Sequence, residues 1–264
     1  MSQGHHHVSM DYYAYISGIR EWNSYFKVGF AVGAVLLVVI CNLISVSIFT
    51  LFFMLFLTVK IGRMHVHDYI RLMTIPLFFI VFSGLAIMIH FDSQPQPDSM
   101  VCLPFFITNL FITKADFMLA VETGIKALGA VSALYMLSSS TPIGEILSAF
   151  RRIHVPDIIL ELMHLIYRYI FILSEVNQKQ KDAARSRLGY IDYKTSLRTF
   201  GSELANLFLM SMKKAEHYYD AMEARGYEGN GFFWEEKKPL TMDQIIWAVV
   251  YFGIVIILVV IHIW

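Results

Sequence analysis

Two arginine triplets, Ala184-Arg185-Ser186 and Ala224-Arg225-Gly226, stand where long helical patterns close. Each is followed by an aromatic-containing turn, Leu188-Gly189-Tyr190 and Gly226-Tyr227. An arginine in the last turn of a helix sits at the negative end of the dipole. Its planar fork can also engage a carboxylate or exposed carbonyls on another molecule through two parallel hydrogen bonds. One such arginine is ordinarily a solvated cap. Two, in triplets of one kind at matched helix positions, read as a device that grips two similar partners. The chemistry is docking, and reversing either arginine to glutamate should weaken it.

Bond-breaking chemistry finds little support. The sequence holds no G-x-x-x-x-G-K-[ST] phosphate loop, HExxH, nucleophile elbow or paired cysteine cluster. Cys41 and Cys102 are too few and too far apart for a disulfide framework or metal knuckle. His5-His6-His7 reads as a tag remnant or native tail rather than a metal site, and His65 and His67 as solvated or interfacial. His90 and Asp92 fall at an outer membrane edge, where they could line a metal entry path. Glu122 and Lys126 lie four apart inside a span, which predicts an ion pair. Intramembrane charges are functional candidates, but packing against another subunit explains these equally well. No catalytic residue, metal ligand or cofactor is assigned, and no nucleic-acid partner is expected.

The elements that must carry the triplets follow from composition. Of 264 residues, 56% are hydrophobic and 16% charged, with mean hydropathy +0.55. Soluble domains carry about a quarter charged residues, and a bilayer-spanning helix needs about 20 apolar residues. The class is an all-α polytopic membrane protein; the runs do not alternate as a membrane β-barrel requires. Spans are predicted at about 28–42, 44–59, 72–90, 117–138 and 243–264, with Asn42 and Ser45 breaking the first pair into a hairpin. Pro76 is placed near the start of its span, where a missing N–H costs least. The polar stretch Met1 to Tyr13 lacks the apolar core of a cleavable signal peptide.

Basic residues set the orientation. Lys60, Arg63 and Arg71 put 60–71 inside. The stretch 91–116 carries only Lys114, with Asp92, Asp98, Pro95 and Pro97, and is expected outside. Block 139–242 holds most of the lysine and arginine and is expected inside. The organisation is therefore an N-terminal tail with four spans (1–138), a coupling-helix region (139–242) and a last span (243–264), with a cytoplasmic N-terminus.

The basic block reads as three helices. Thr141 and Pro142 open a short one, with Thr141 as cap and the proline at its first position. Pro156-Asp157 open a long one that closes at Gly189 as the residue after the cap. A third runs from about Tyr193 to Arg225, stopped by Gly226, with Leu197, Phe200, Leu204, Phe208, Met212 and Tyr219 at helical spacing. Stretch 156–175 is apolar enough to suggest a span, but Glu161, His164, Arg168 and Glu175 share one face, so an amphipathic helix at the cytoplasmic surface fits better. Such wide apolar faces on a soluble monomer would aggregate; between subunits they have a use.

The two triplets, with Ala183-Ala184-Arg185-Ser186-Arg187-Leu188-Gly189-Tyr190 and the early Asp11-Tyr12-Tyr13-Ala14-Tyr15, Arg20 and Trp22-Asn23, resemble the transmembrane T component of energy-coupling factor (ECF) transporters. Within that family they are most similar to its cobalt type, CbiQ. The resemblance spans essentially the whole chain. It implies a non-catalytic subunit of an ABC-type importer in a bacterial or archaeal inner membrane. The implied partners are two ABC ATPase subunits, a substrate-binding membrane subunit and a small accessory membrane subunit. Arg185 and Arg225 would be the ATPase anchors, with Ala184, Ser186, Ala224 and Gly226 as small neighbours permitting close approach. The substrate would be cobalt, selected by the partner. Two other classes stand beside this reading. A polytopic membrane enzyme would use the His/Glu/Arg face of 161–175, and a self-sufficient secondary transporter would show internal repeats around a central site.

Overall fold

A computed structural model describes residues 10–88, 90–92, 99–105, 108–152, 154–227 and 238–264. His5-His6-His7 lie outside the described residues. The chain forms two compact units, one of residues 1–146 and 236–264, the other of residues 147–235.

The first unit is a helical bundle. Its helices are α1 (Met10–Ile16), α2 (Ser24–Cys41), α3 (Ile44–Phe56, continued by a π-helical turn Leu57–Ile61), α4 (Val66–Met88) and α5 (Lys114–Ser140). The short α6 (Ile143–Arg152) begins in this unit and ends in the other. The first unit closes with α9 (Met242–Ile263). Among the described residues, five stretches are long and apolar enough to cross a membrane: Ser24–Cys41, Ile44–Ile61, Val66–Met88, Lys114–Ser140 and Met242–Ile263. The chain is an α-helical, multi-pass membrane protein. Between α4 and α5 the described residues form three short antiparallel strands, β1 (His90–Asp92), β2 (Ser99–Phe105) and β3 (Thr108–Thr113), in the order β1-β3-β2. Sequence reading leaves that stretch as a plain outer loop. His90 and Asp92 lie on β1, with His90 opposite Phe111.

Helix α5 is the hub, packed against α1, α2, α3 and α4. Gly129 lets α3 approach it closely, since a Cβ there would stand 2.8 Å from the Ser47 carbonyl oxygen. Small residues at contacts are how membrane helices gain packing without a hydrophobic drive between them. Around Tyr251 of α9 the Phe49 ring stacks, those of Phe30 and Phe252 meet it edge-on and that of Phe53 is tilted, and Thr50 Oγ1 lies 2.9 Å from the Tyr251 hydroxyl. Ser47 and Thr50 also donate to carbonyls four residues back, as buried helix hydroxyls do.

The hairpin break falls as expected. Asn42 adopts the left-handed conformation (φ 51°) between α2 and α3, and its side-chain oxygen accepts from Lys126 Nζ. Lys126 also stands 4.0 Å from Glu122. Pro76 differs from expectation. Helix α4 starts at Val66, so the proline is interior. A proline supplies no N–H to the carbonyl four residues earlier, here that of Leu72. The Tyr135 hydroxyl of α5 donates to the Leu72 oxygen instead, at 3.0 Å. Tyr135→Phe is therefore expected to destabilise the bundle by about 1–3 kcal/mol, the cost of leaving this part-buried carbonyl unsatisfied. In a Pro76→Ala background, where the helix satisfies that carbonyl itself, the loss should shrink. Thermal unfolding of the four proteins of this cycle in detergent tests it; equal losses in both backgrounds would refute the compensation.

A buried ionic cluster joins distant segments. Lys27 Nζ lies 3.2 Å from Glu145 Oε2 and 3.1 Å from the Ser140 carbonyl oxygen. Lys238 Nζ lies 2.7 Å from Glu145 Oε1 and 2.6 Å from the Arg20 carbonyl oxygen. Ser24 Oγ donates to Glu145 at 2.6 Å. Next to it, Asn23 accepts from the Tyr25 and Phe26 amides as the cap of α2, while its own amide nitrogen donates to the Lys238 carbonyl at 2.6 Å.

Candidate docking site

The second unit is dominated by α7 (Asp157–Ser186) and α8 (Tyr193–Glu223). Despite its 30 residues, α7 is not among the helices apolar enough to span. The short helix before it starts at Ile143, with Pro142 accepting its first backbone bonds, one residue later than expected. Helices α7 and α8 run antiparallel. Tyr169 meets Tyr218 at 5.4 Å between ring centroids, and Gln180 reaches Met210 nearer the turn. The contacts between them include a cation–ring pair, with Arg168 over the Tyr218 ring, and the one described buried residue of α8 is Glu203. The apolar stripe Leu197, Phe200, Leu204, Phe208, Met212 and Tyr219 is exposed.

The antiparallel arrangement carries the two triplets to opposite ends of the hairpin. Tyr227, just past the second triplet, donates to Glu161 near the start of α7. Tyr190, just past the first, donates to Glu203 Oε2 at 2.6 Å. Between Glu161 and Arg185 run 24 residues of α7, about 36 Å at 1.5 Å per residue. Glu161 and Glu203 are both buried, so each arginine end is fastened by a tyrosine–carboxylate bond. That bond raises the phenol pKa of both Tyr190 and Tyr227.

Both ends close with the same hydrogen-bond pattern, a Schellman motif. In α7, Arg187 N donates to Ala184 O, Leu188 N to Arg185 O and Gly189 N to Ala184 O. In α8, Arg225 N donates to Met222 O, Gly226 N to Glu223 O and Tyr227 N to Met222 O. The left-handed residue is Leu188 (φ 58°) in the first and Gly226 (φ 78°) in the second. Gly189 is thus not the left-handed residue that its type suggests. A Cβ at Gly189 would lie 3.0 Å from both the Ala184 oxygen and the Thr199 side chain, so the glycine serves close approach to α8. The triplets are also not at matched positions: Arg185 sits two residues earlier in its motif than Arg225 in its own.

Arg185, Arg187 and Arg225 are all exposed. Arg185 Nη1 stands 3.9 Å from Asp182, a weak surface pair, and Ser186 Oγ donates to the Asp182 carbonyl. Beside the first end lies a groove of about 520 Å³ that includes Gln180, Ala184, Arg187, Arg198 and Glu203. Buried Oε1 atoms of Gln180 and Glu203 have no hydrogen-bond partner among the described residues.

This geometry suits docking to another protein. Residues 17–238 match the family described as cobalt transport protein, CbiQ. The chain belongs to that family. Its similarity to an uncharacterized protein of Methanocaldococcus jannaschii is 28% identity over 84% of this chain and 82% of that one. It is 27% identical to a putative fused cobalt transport protein CbiMQ of Methanocorpusculum labreanum, over 88% of this chain and 38% of the fused one. To the cobalt transport protein CbiQ of Salmonella typhimurium it is 25% identical over 64% of this chain and 74% of that protein. The chain is thus a member of a transport family, as the resemblance of its triplets implies.

Proposed function

We propose that this CbiQ-family chain is the energy-coupling membrane subunit of an ATP-driven ECF importer for cobalt ions. The α7–α8 hairpin takes one ABC ATPase subunit at each end, through the arginine-bearing helix termini. Movement of the ATPase pair shifts the hairpin and, through it, a separate substrate-binding membrane subunit. The observation that carries this reading is the pair of identically built arginine ends, about 36 Å apart by helix rise. One partner surface meeting both ends would have to be very long; two copies of one partner meet them naturally. The exposed apolar stripe of α8 supports a second contact surface, for apolar helices of the substrate subunit. The fused relative, named for CbiM and CbiQ together, supports a close working partner of that kind.

The lysine and arginine distribution supports a cytoplasmic N-terminus and a cytoplasmic hairpin, in a bacterial or archaeal inner membrane. A pull-down of the full chain from native membranes, followed by mass spectrometry and an ATPase assay, tests the reading. Co-purification of an ABC ATPase with a hydrophobic membrane subunit is expected. A lone chain without ATPase activity, from membranes that express such partners, would refute it.

A further inference from the structure

We propose that Arg187, and not Arg185, is the counterpart of Arg225 and the residue that docks the ATPase at the α7 end. This rests on the ECF reading above. Three backbone hydrogen bonds superimpose the two helix ends, and they pair Arg187 with Arg225, Leu188 with Gly226, and Gly189 with Tyr227. In each motif the paired arginine immediately precedes the left-handed residue, where the chain turns away from the helix. The triplets align by letter, whereas the helix ends align two residues further on. By geometry the α7 triplet is Ser186-Arg187-Leu188, matching Ala224-Arg225-Gly226. Leu188 occupies a backbone conformation that glycine adopts freely and leucine rarely does. That substitution hides the match from a reader of letters.

The surroundings of the two candidates differ in the same direction. Arg185 projects from the last helical turn, paired with Asp182 one turn back. Arg187 makes no ion pair among the described residues and lines the groove with Arg198. Two guanidinium groups at a groove mouth, with no carboxylate of this chain paired to either among the described residues, suit an acidic side chain of the partner. The groove also holds the unpartnered Gln180 and Glu203 oxygens, which suit a donor beside that acid.

The test uses the full chain co-expressed with the ABC ATPase that co-purifies with it. Variants Arg185→Glu, Arg187→Glu and Arg225→Glu are isolated in mild detergent, and ATPase bound per chain is measured by quantitative mass spectrometry. Arg187→Glu and Arg225→Glu are each expected to halve the bound ATPase, and Arg187→Glu/Arg225→Glu to abolish it. Arg185→Glu should retain at least nine-tenths of the parent's. A halving by Arg185→Glu with Arg187→Glu unaffected overturns the assignment and leaves the ECF reading standing. Equal losses from both also overturn it. Full retention by all three, Arg225→Glu included, refutes the ECF docking reading itself. If Arg187→Glu fails to reach the membrane, Arg187→Gln removes the charge with little change of volume and decides by the same readout.

Discussion

Arg225→Glu is expected to strip one ATPase subunit from the complex and to leave the chain folded in its membrane. The residue is exposed at the end of α8, and its amide is already satisfied by Met222, so the backbone loses nothing by the change. The loss falls on the partner side. A guanidinium replaced by a carboxylate at a desolvated contact leaves the partner's acid facing a like charge. Breaking such a contact costs about 3–5 kcal/mol. At 1.4 kcal/mol per tenfold, binding weakens by about a hundred- to several-thousand-fold. Arg225→Lys keeps the charge and loses the two-pronged geometry, so its loss should be intermediate. Surface binding assays of the purified ATPase against the two variants measure this directly. Unchanged affinity for Arg225→Glu would contradict the docking role, and absence of the variant from the membrane would signal misfolding.

The sequence reveals those parts of the fold that local chemistry decides. Asn42 marks the hairpin break because asparagine tolerates the left-handed turn, and the five spans found among the described residues follow from apolar length together with the placement of the basic residues. Errors arise where a residue has two possible reasons to be present. Pro76 looks like a helix start because His67, Asp68 and Arg71 before it resemble a loop; its actual support is Tyr135, 59 residues further along the chain. Gly189 looks like a helix stop, but it is small to admit Thr199, while Leu188 carries the left-handed turn. The small sheet of 90–113 stays hidden because its strands are short and sit among prolines. At the docking site the triplets draw attention to the right turns. Their two-residue offset appears only once hydrogen bonds are compared. The Tyr190–Glu203 and Tyr227–Glu161 fastenings pair tyrosines of the turns with Glu203, which no pattern singles out, and with Glu161, which sequence reading places on the charged face of an amphipathic helix without a partner.

The other large effect is expected at Glu145, which no motif singles out because its partners lie 118 and 93 residues away in sequence. Glu145 is the carboxylate of a cluster that includes two buried lysines; the Lys27 side chain is 0% exposed and that of Lys238 6%. Glu145→Ala leaves both ammonium groups without a counter-charge. Removing one member of a buried ion pair costs about 3–5 kcal/mol. By the scaling of globular chains of this size that is a fall in Tm of about 6–20 °C, read from thermal unfolding in detergent. Burial opposes ionisation of Glu145, but the bonds from Lys238 and Ser24 and the charge of Lys27 outweigh it and hold its carboxyl below the usual carboxylate range. A carboxyl with a lower pKa folded than unfolded stabilises fully above its unfolded pKa, and that gain disappears as pH falls through the folded value. Parent and Glu145→Gln should therefore differ most near neutral pH and converge in acid. A gap of constant size across that range would mean that Glu145 acts by packing, and an unchanged unfolding curve for Glu145→Ala would mean that water, rather than this carboxylate, balances the two lysines.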